Sequence, residues 1–195
     1  MKQRKKPEDR KKEIINVAFQ LFLEYGYETI TMNKIANESG IAKGLCYHYF
    51  PSKEELYEEV LSDFVDQLVG KYLVIIKNDQ LTLEDKLNEM STILRSYKGK
   101  SLFYDFSRKN GNKRVYIDIL YRTFNRLIPE LTNEFIRYSN LSSESFEKIE
   151  TLMSFILFGQ LGILTEKGLD FEHQLMQLKA YIQTLLEYEK DGGNT

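Results

Sequence analysis

The chain has 195 residues, 42% of them hydrophobic and 29% charged, with a net charge of −2. These values exclude a disordered chain and a membrane-embedded one, and the length suffices for a small domain joined to a larger one. No apolar run approaches the length that crosses a bilayer and the basic N-terminus lacks the apolar centre of a signal peptide, so the expected location is cytoplasmic.

The net charge hides a segregation of sign. Lys2, Arg4, Lys5, Lys6, Arg10, Lys11 and Lys12 crowd the first dozen residues against only Glu8 and Asp9, and acidic residues gather later. Beside a DNA-binding element such an arm adds affinity through counterion release, an effect that fades with salt; alone, it would only solubilise. Pro7 suits the first turn of a helix, with Glu8 and Asp9 near its positive end. Ile14, Ile15, Ala18, Leu21, Phe22 and Tyr25 then recur at turn spacing, and Gly26 closes the helix. Phe22 and Tyr25 are read as structural residues.

The next stretch, TITMNKIANESGIAKGLCYHYFPSKEELY from Thr29 to Tyr57, predicts two short helices around a tight turn and the capped start of a third. Thr31 is a suitable N-cap for a helix beginning near Met32, with Ile30 and Ile35 as a hydrophobic staple. Small Ala36 precedes Gly40 by one turn, which suits a close bend at positive φ. Beyond it, Ile41, Cys46 and Tyr49 can pack a second helix back on Ile35 and Ala36. That leaves Ala42, Lys43, Gly44, Tyr47 and His48 facing outward. A cation, a bare glycine, a phenol and an imidazole suit a duplex: Lys43 reaches phosphate or a guanine edge, Gly44 allows close approach, and Tyr47 and His48 bond phosphate oxygens or lie against thymine methyls. Pro51 and Ser52 end this helix. Ser52 and Glu55 form a capping box for the next, whose first-turn amides and Lys53 suit a further phosphate. Cys46, the single cysteine, excludes an internal disulfide and fits a reducing compartment. Its inward position makes it a small hydrophobe rather than a redox sensor.

The run through Thr31, Ile35, Ala36, Gly40, Lys43, Gly44, Tyr47, His48, Tyr49, Phe50, Ser52, Lys53 and Leu56 resembles the DNA-binding domain of the tetracycline-repressor (TetR) family of bacterial regulators. With the helix before it, the resemblance covers roughly the first third of the chain. It implies DNA contacts from Thr31, Ala42, Lys43, Gly44, Tyr47, His48, Tyr49 and Lys53. Two positions depart from the family pattern and bear on the operator: Ala42 stands where a serine or threonine is frequent, and Leu45 where a small polar residue is common.

From Ser52 a long helix continues through Leu56, Val60, Leu61, Phe64, Leu68 and Tyr72 to about Lys77 and ties two domains together. Gly70 inside it marks a bend or a close contact. After a loop from Asn78 to Leu81, Thr82 and Asp85 start another helix that ends about Gly99. Residues 101–140 are rich in aromatics, and Asn110 and Gly111 divide them into two helices. Phe103, Tyr104, Phe106, Tyr116, Leu120, Tyr121 and Phe124 are candidate pocket-lining residues for a small apolar or aromatic inducer, or else plain core; Pro129 should bend the second helix. Leu141 and Ser142 open a helix bearing Phe155, Gly159 and Gly162. A loop at 167–170 precedes the last helix, with Leu178, Ile182 and Leu185. The resemblance implies that these last two helices, through those six residues, pair with their mates in a homodimer.

The expected fold is therefore all-α, about nine helices, with an N-terminal arm and helix-turn-helix domain over residues 1–51 and a helical ligand-binding and dimerisation domain over 52–195, linked by the helix at 52–77. No metal-ligand spacing, nucleophile elbow or phosphate loop is present, so neither an enzyme nor a cofactor is expected. The function so implied is a dimeric transcriptional repressor that binds a pseudo-palindromic double-stranded operator in the nucleoid and is released by a small-molecule inducer. The alternative is a DNA-architectural or cell-division factor of the same fold without a ligand. No membrane partner is expected.

Overall fold

The computed structural model describes residues 6–99, 113–139 and 146–165, and single positions 173, 176, 177, 180, 181, 183 and 184. Among the described residues the secondary structure is wholly helical, in seven helices: α1 (Pro7–Tyr25), α2 (Met32–Glu38), α3 (Lys43–Tyr49), α4 (Lys53–Ile76), α5 (Leu83–Gly99), α6 (Lys113–Ser139) and α7 (Phe146–Thr165). The expected loop at Asn110 and Gly111, the opening of a helix at Leu141 and Ser142, and the loop at 167–170 lie outside the described residues. Pro129 sits within the continuous run of α6.

The chain packs as two units, Met1–Gln67 with Tyr97–Ile119, and Leu68–Ser96 with Leu120–Thr195. α4, α5 and α6 contribute residues to both.

In the first unit, Pro7 occupies the start of α1 and the Gly26 amide bonds the Phe22 carbonyl at 2.9 Å. Ile14, Ile15, Ala18, Leu21, Phe22 and Leu23 are buried along α1, and they meet Ile30, Met32, Ile35, Ala36, Cys46, Phe50, Leu56, Val60 and Leu61 in one core. Tyr25 departs from expectation. It is the last residue of the helix, and its ring lies 48% exposed with the Lys34 ammonium 3.6 Å from its centroid. An aromatic group that the helical spacing did not signal fills the space between α1 and α4. Phe22 and Tyr27 stand 5.4 Å apart edge to face, and Tyr27 and Tyr57 4.5 Å apart. The Tyr57 hydroxyl donates to Asp118 of α6 at 3.1 Å.

The second unit is fixed around the C-terminal end of α4. Thr82 caps α5 reciprocally: its Oγ1 accepts from the Asp85 amide at 3.2 Å, and the Asp85 carboxylate accepts from the Thr82 amide at 3.1 Å. The Thr82 hydroxyl also donates to the Asp85 carboxylate, and this bond together with the one from the Thr82 amide holds the Asp85 carboxyl below the usual carboxylate range. One turn into α5, Lys86 is fully buried. Its ammonium donates to the Ile76 carbonyl at 2.7 Å, the negative end of α4, and pairs with Glu134 of α6. Arg137 bonds Glu134 at 2.7 Å and also pairs with Asp79, and the Tyr138 hydroxyl donates to the Leu81 carbonyl at 2.6 Å. Gly70 in α4 is open: a Cβ added there meets nothing within 4 Å, so the close-contact reading of that glycine does not hold.

Candidate nucleic-acid interface

The turn between α2 and α3 is built by backbone chemistry. Thr31 Oγ1 accepts from the Lys34 amide at 3.2 Å and starts α2. At its other end Gly40, at φ +63°, reverses the chain. The Gly40 amide reaches the Asn37 carbonyl at 3.0 Å and the Ile41 amide the Ala36 carbonyl at 3.0 Å, the paired 5→2 and 6→1 bonds of a Schellman stop. Only a residue at ease in left-handed backbone sits there without strain. α3 restarts two residues later, and the Leu45 and Cys46 amides both bond the Ala42 carbonyl.

With α2 and α3 pinned at both ends of the turn, burial sorts the faces of α3. Cys46 and Phe50 are sealed in the core. Burial also raises the Cys46 thiol pKa, which makes it a poor thiolate. Ala42, Lys43, Gly44, Leu45, Tyr47 and His48 are exposed, and Tyr49 is half-buried with its ring edge-on to His48 at 5.6 Å. The Lys43 ammonium lies 5.8 Å from the Tyr47 ring centroid. α3 contains Lys43 and His48 but no carboxylate. The result is a single slender helix offering a cation, two phenols, an imidazole and an uncovered stretch of backbone on one side, chemistry that matches phosphates and base edges.

Lys53, expected to suit a phosphate, also has partners within the protein. Its ammonium lies 4.1 Å from the Tyr27 ring centroid and 3.5 Å from the Glu28 carbonyl, which braces the start of α4 against the turn after α1. Ser52 Oγ caps that start by accepting from the Glu55 amide at 3.0 Å. The basic arm is likewise divided. Lys11 pairs with Glu59 at 3.0 Å, Lys12 with Asp63, and Arg10 with Glu13 at 2.6 Å, so these cations tie α1 down; Lys2, Arg4 and Lys5 lie outside the described residues.

Of the candidate ligand residues, Tyr116, Leu120 and Phe124 are buried and Tyr121 is 55% exposed. Burial pushes the Tyr116 phenol up to about 12. Tyr121 and Phe124 each approach Phe158 of α7 at 5.6 Å. Phe103, Tyr104 and Phe106 lie outside the described residues. An open groove of about 200 Å³ between α6 and α7 is lined by Asn125, Ile128, Pro129, Glu150, Thr151 and Ser154, none of them among the candidates. On α7, Phe155 is 77% exposed and Gly159 is open to solvent. The side-chain surroundings of Gly162, and Leu178, Ile182 and Leu185 altogether, lie outside the described residues; Met176 and Tyr181 in the same last segment are exposed.

Fold and site together define an all-helical protein with an N-terminal helix-turn-helix. Residues 14–60 match the family described as "Bacterial regulatory proteins, tetR family", so this segment is similar to the DNA-binding domain of those regulators. Over 78 residues it is 40% identical to the HTH-type transcriptional repressor KstR2 of Mycolicibacterium smegmatis, a match covering 40% of this chain and 38% of that one. Over 109 residues it is 30% identical to the nucleoid occlusion factor SlmA of Mannheimia succiniciproducens, covering 55% and 46%. The chain thus matches less than half the length of either relative. In fold it is similar to a crystal structure of a TetR-family transcriptional regulator from Mesorhizobium loti, with TM-score 0.62 and 17% identity over 93% of this chain and 98% of that one. Among the described residues no helix is long and apolar enough to cross a membrane, and no group of side chains suits a metal ion.

Proposed function

We propose that the protein is a ligand-responsive, DNA-binding transcriptional repressor that binds a pseudo-palindromic operator as a homodimer and is released by a small apolar or aromatic inducer. The observation that carries this reading is the outward, carboxylate-free face of α3, with Lys43, Gly44, Tyr47 and His48 exposed behind a stop at Gly40 that holds the helix proud of the core. Thr31, Ala42 and Tyr49 flank that face, and Lys53 at the start of α4 adds a further phosphate contact. The repressor named among the relatives supports the same reading. In a dimer the two α3 helices would enter successive major grooves about 34 to 36 Å apart, and an inducer would act by favouring another spacing. Functionally the chain then divides near residue 52, with α4 as the link, and α7 and the last segment supply the dimer face through Phe155, Gly159, Gly162, Leu178, Ile182 and Leu185.

Tyr47→Ala tests the reading directly, because Tyr47 is exposed and not part of the core. Specific binding to duplexes selected by the wild type should fall at least tenfold while circular dichroism and oligomeric state stay unchanged. Loss of helicity in its place would mean that Tyr47 supports the fold.

One observation favours a second reading. The match to the nucleoid occlusion factor extends over more of the chain than the match to the repressor. A DNA-architectural or cell-division role would show as many dispersed genomic sites, whereas the repressor reading expects a few strong sites near promoters.

A further inference from the structure

One residue on the outward face of α3 is apolar. Leu45 is 40% exposed, between bare Gly44 and sealed Cys46. Its amide bonds the Ala42 carbonyl at 2.9 Å, a contact any residue would make at a helix start. Gly44 is equally unexplained by packing: a Cβ there meets nothing within 4 Å, and its backbone is not in the left-handed region. At helical spacing Leu45 adjoins His48 on the next turn. The result is a low apolar step beside a cation-bearing edge on a helix that has no carboxylate.

A leucine can donate to no phosphate and bond no base edge. The apolar feature that a major groove presents is the thymine C5-methyl group. On the regulator reading above, we infer that Leu45 is a specificity-determining residue that selects thymine by covering its 5-methyl group, while Gly44 removes the side chain that would hold the helix away.

The test uses the full chain and its preferred duplex, obtained by selection from randomised DNA. Each thymine is replaced in turn by deoxyuridine, which removes the methyl group and nothing else. Burying one such group changes affinity by about fourfold, so the wild type should lose that much at a thymine in each half-site. Leu45→Ala should bind more weakly and show no further loss at that position; Leu45→Met, which keeps an apolar reach, should retain the loss. Both variants are checked for unchanged helicity. Equal deoxyuridine losses in wild type and Leu45→Ala, or no loss anywhere in the wild type, would overturn the assignment of Leu45 and leave the regulator reading standing. If selection enriches no duplex, the regulator reading falls and this inference with it.

Discussion

At single positions, the chemistry of the candidate interface separates from the demands of folding. Gly44 is the clearest case, because a methyl group there meets open space and an alanine is the better helix former by about 1 kcal/mol. Gly44→Ala should therefore raise the denaturation midpoint or leave it unchanged, and weaken DNA binding; a destabilised variant would show that the glycine serves the fold. Tyr116 makes the opposite case, a residue claimed by the core. Burial raises its phenol pKa from 10.0 to about 12. The folded state therefore holds the proton more tightly than the unfolded chain does. Its contribution is fully present below pH 10 and is lost as pH rises toward 12, by an amount on the order of 2–3 kcal/mol. Stability measured between pH 10 and 12 should fall less steeply in Tyr116→Phe than in wild type.

At the level of helices, the starts of α2, α4 and α5 and the stop of α2 were written locally. The Thr31, Ser52 and Thr82 caps each act across three residues, and the stop at Gly40 needs only the four residues before it and one after. Such signals are legible because both partners lie within one turn. Ion pairs between helices are not: Lys11 and Glu59 are 48 residues apart, Lys12 and Asp63 51, and Lys86 and Glu134 48. Charge along the chain therefore places Lys11 and Lys12 in a basic arm, whereas the fold also uses them to join α1 to α4. No local pattern marks the buried Lys86, since a lysine on an amphipathic helix ordinarily reaches solvent. Here it lies between the last carbonyl of α4 and Glu134, where removal of one partner has an asymmetric cost. Glu134→Gln leaves a buried ammonium with a carbonyl as its main partner and should cost about 3–5 kcal/mol; Lys86→Met keeps the volume, removes the charge and should cost less. Urea denaturation of the two variants measures the difference, and equal costs would mean that Glu134 and Arg137 sustain each other without the lysine.

Over the whole molecule, exposed apolar surface in the C-terminal half bears on assembly. Phe155 is 77% exposed, Met176 68% and Tyr181 61%, each on a segment expected to face a second copy. A charge at the middle of such a surface is costly to bury. If the proposed homodimer uses this surface, Phe155→Glu should yield monomers in sedimentation where the wild type sediments as a dimer, and should weaken DNA binding because one half-site alone remains. A dimer unaffected by this change would place the interface elsewhere.

The amino-acid sequence by itself determined the helix-turn-helix, because its caps, its positive-φ glycine and its inward and outward faces all follow from spacings within a turn or two. It also determined the all-helical class, through apolar periodicity. Tertiary structure alone decided which cations are committed to carboxylates, that Tyr27 and Tyr57 pack against Phe22, that Lys53 braces a ring, and that Tyr25 stays outside the core. Each of these depends on partners distant in sequence, and a one-dimensional pattern holds no record of which faces meet.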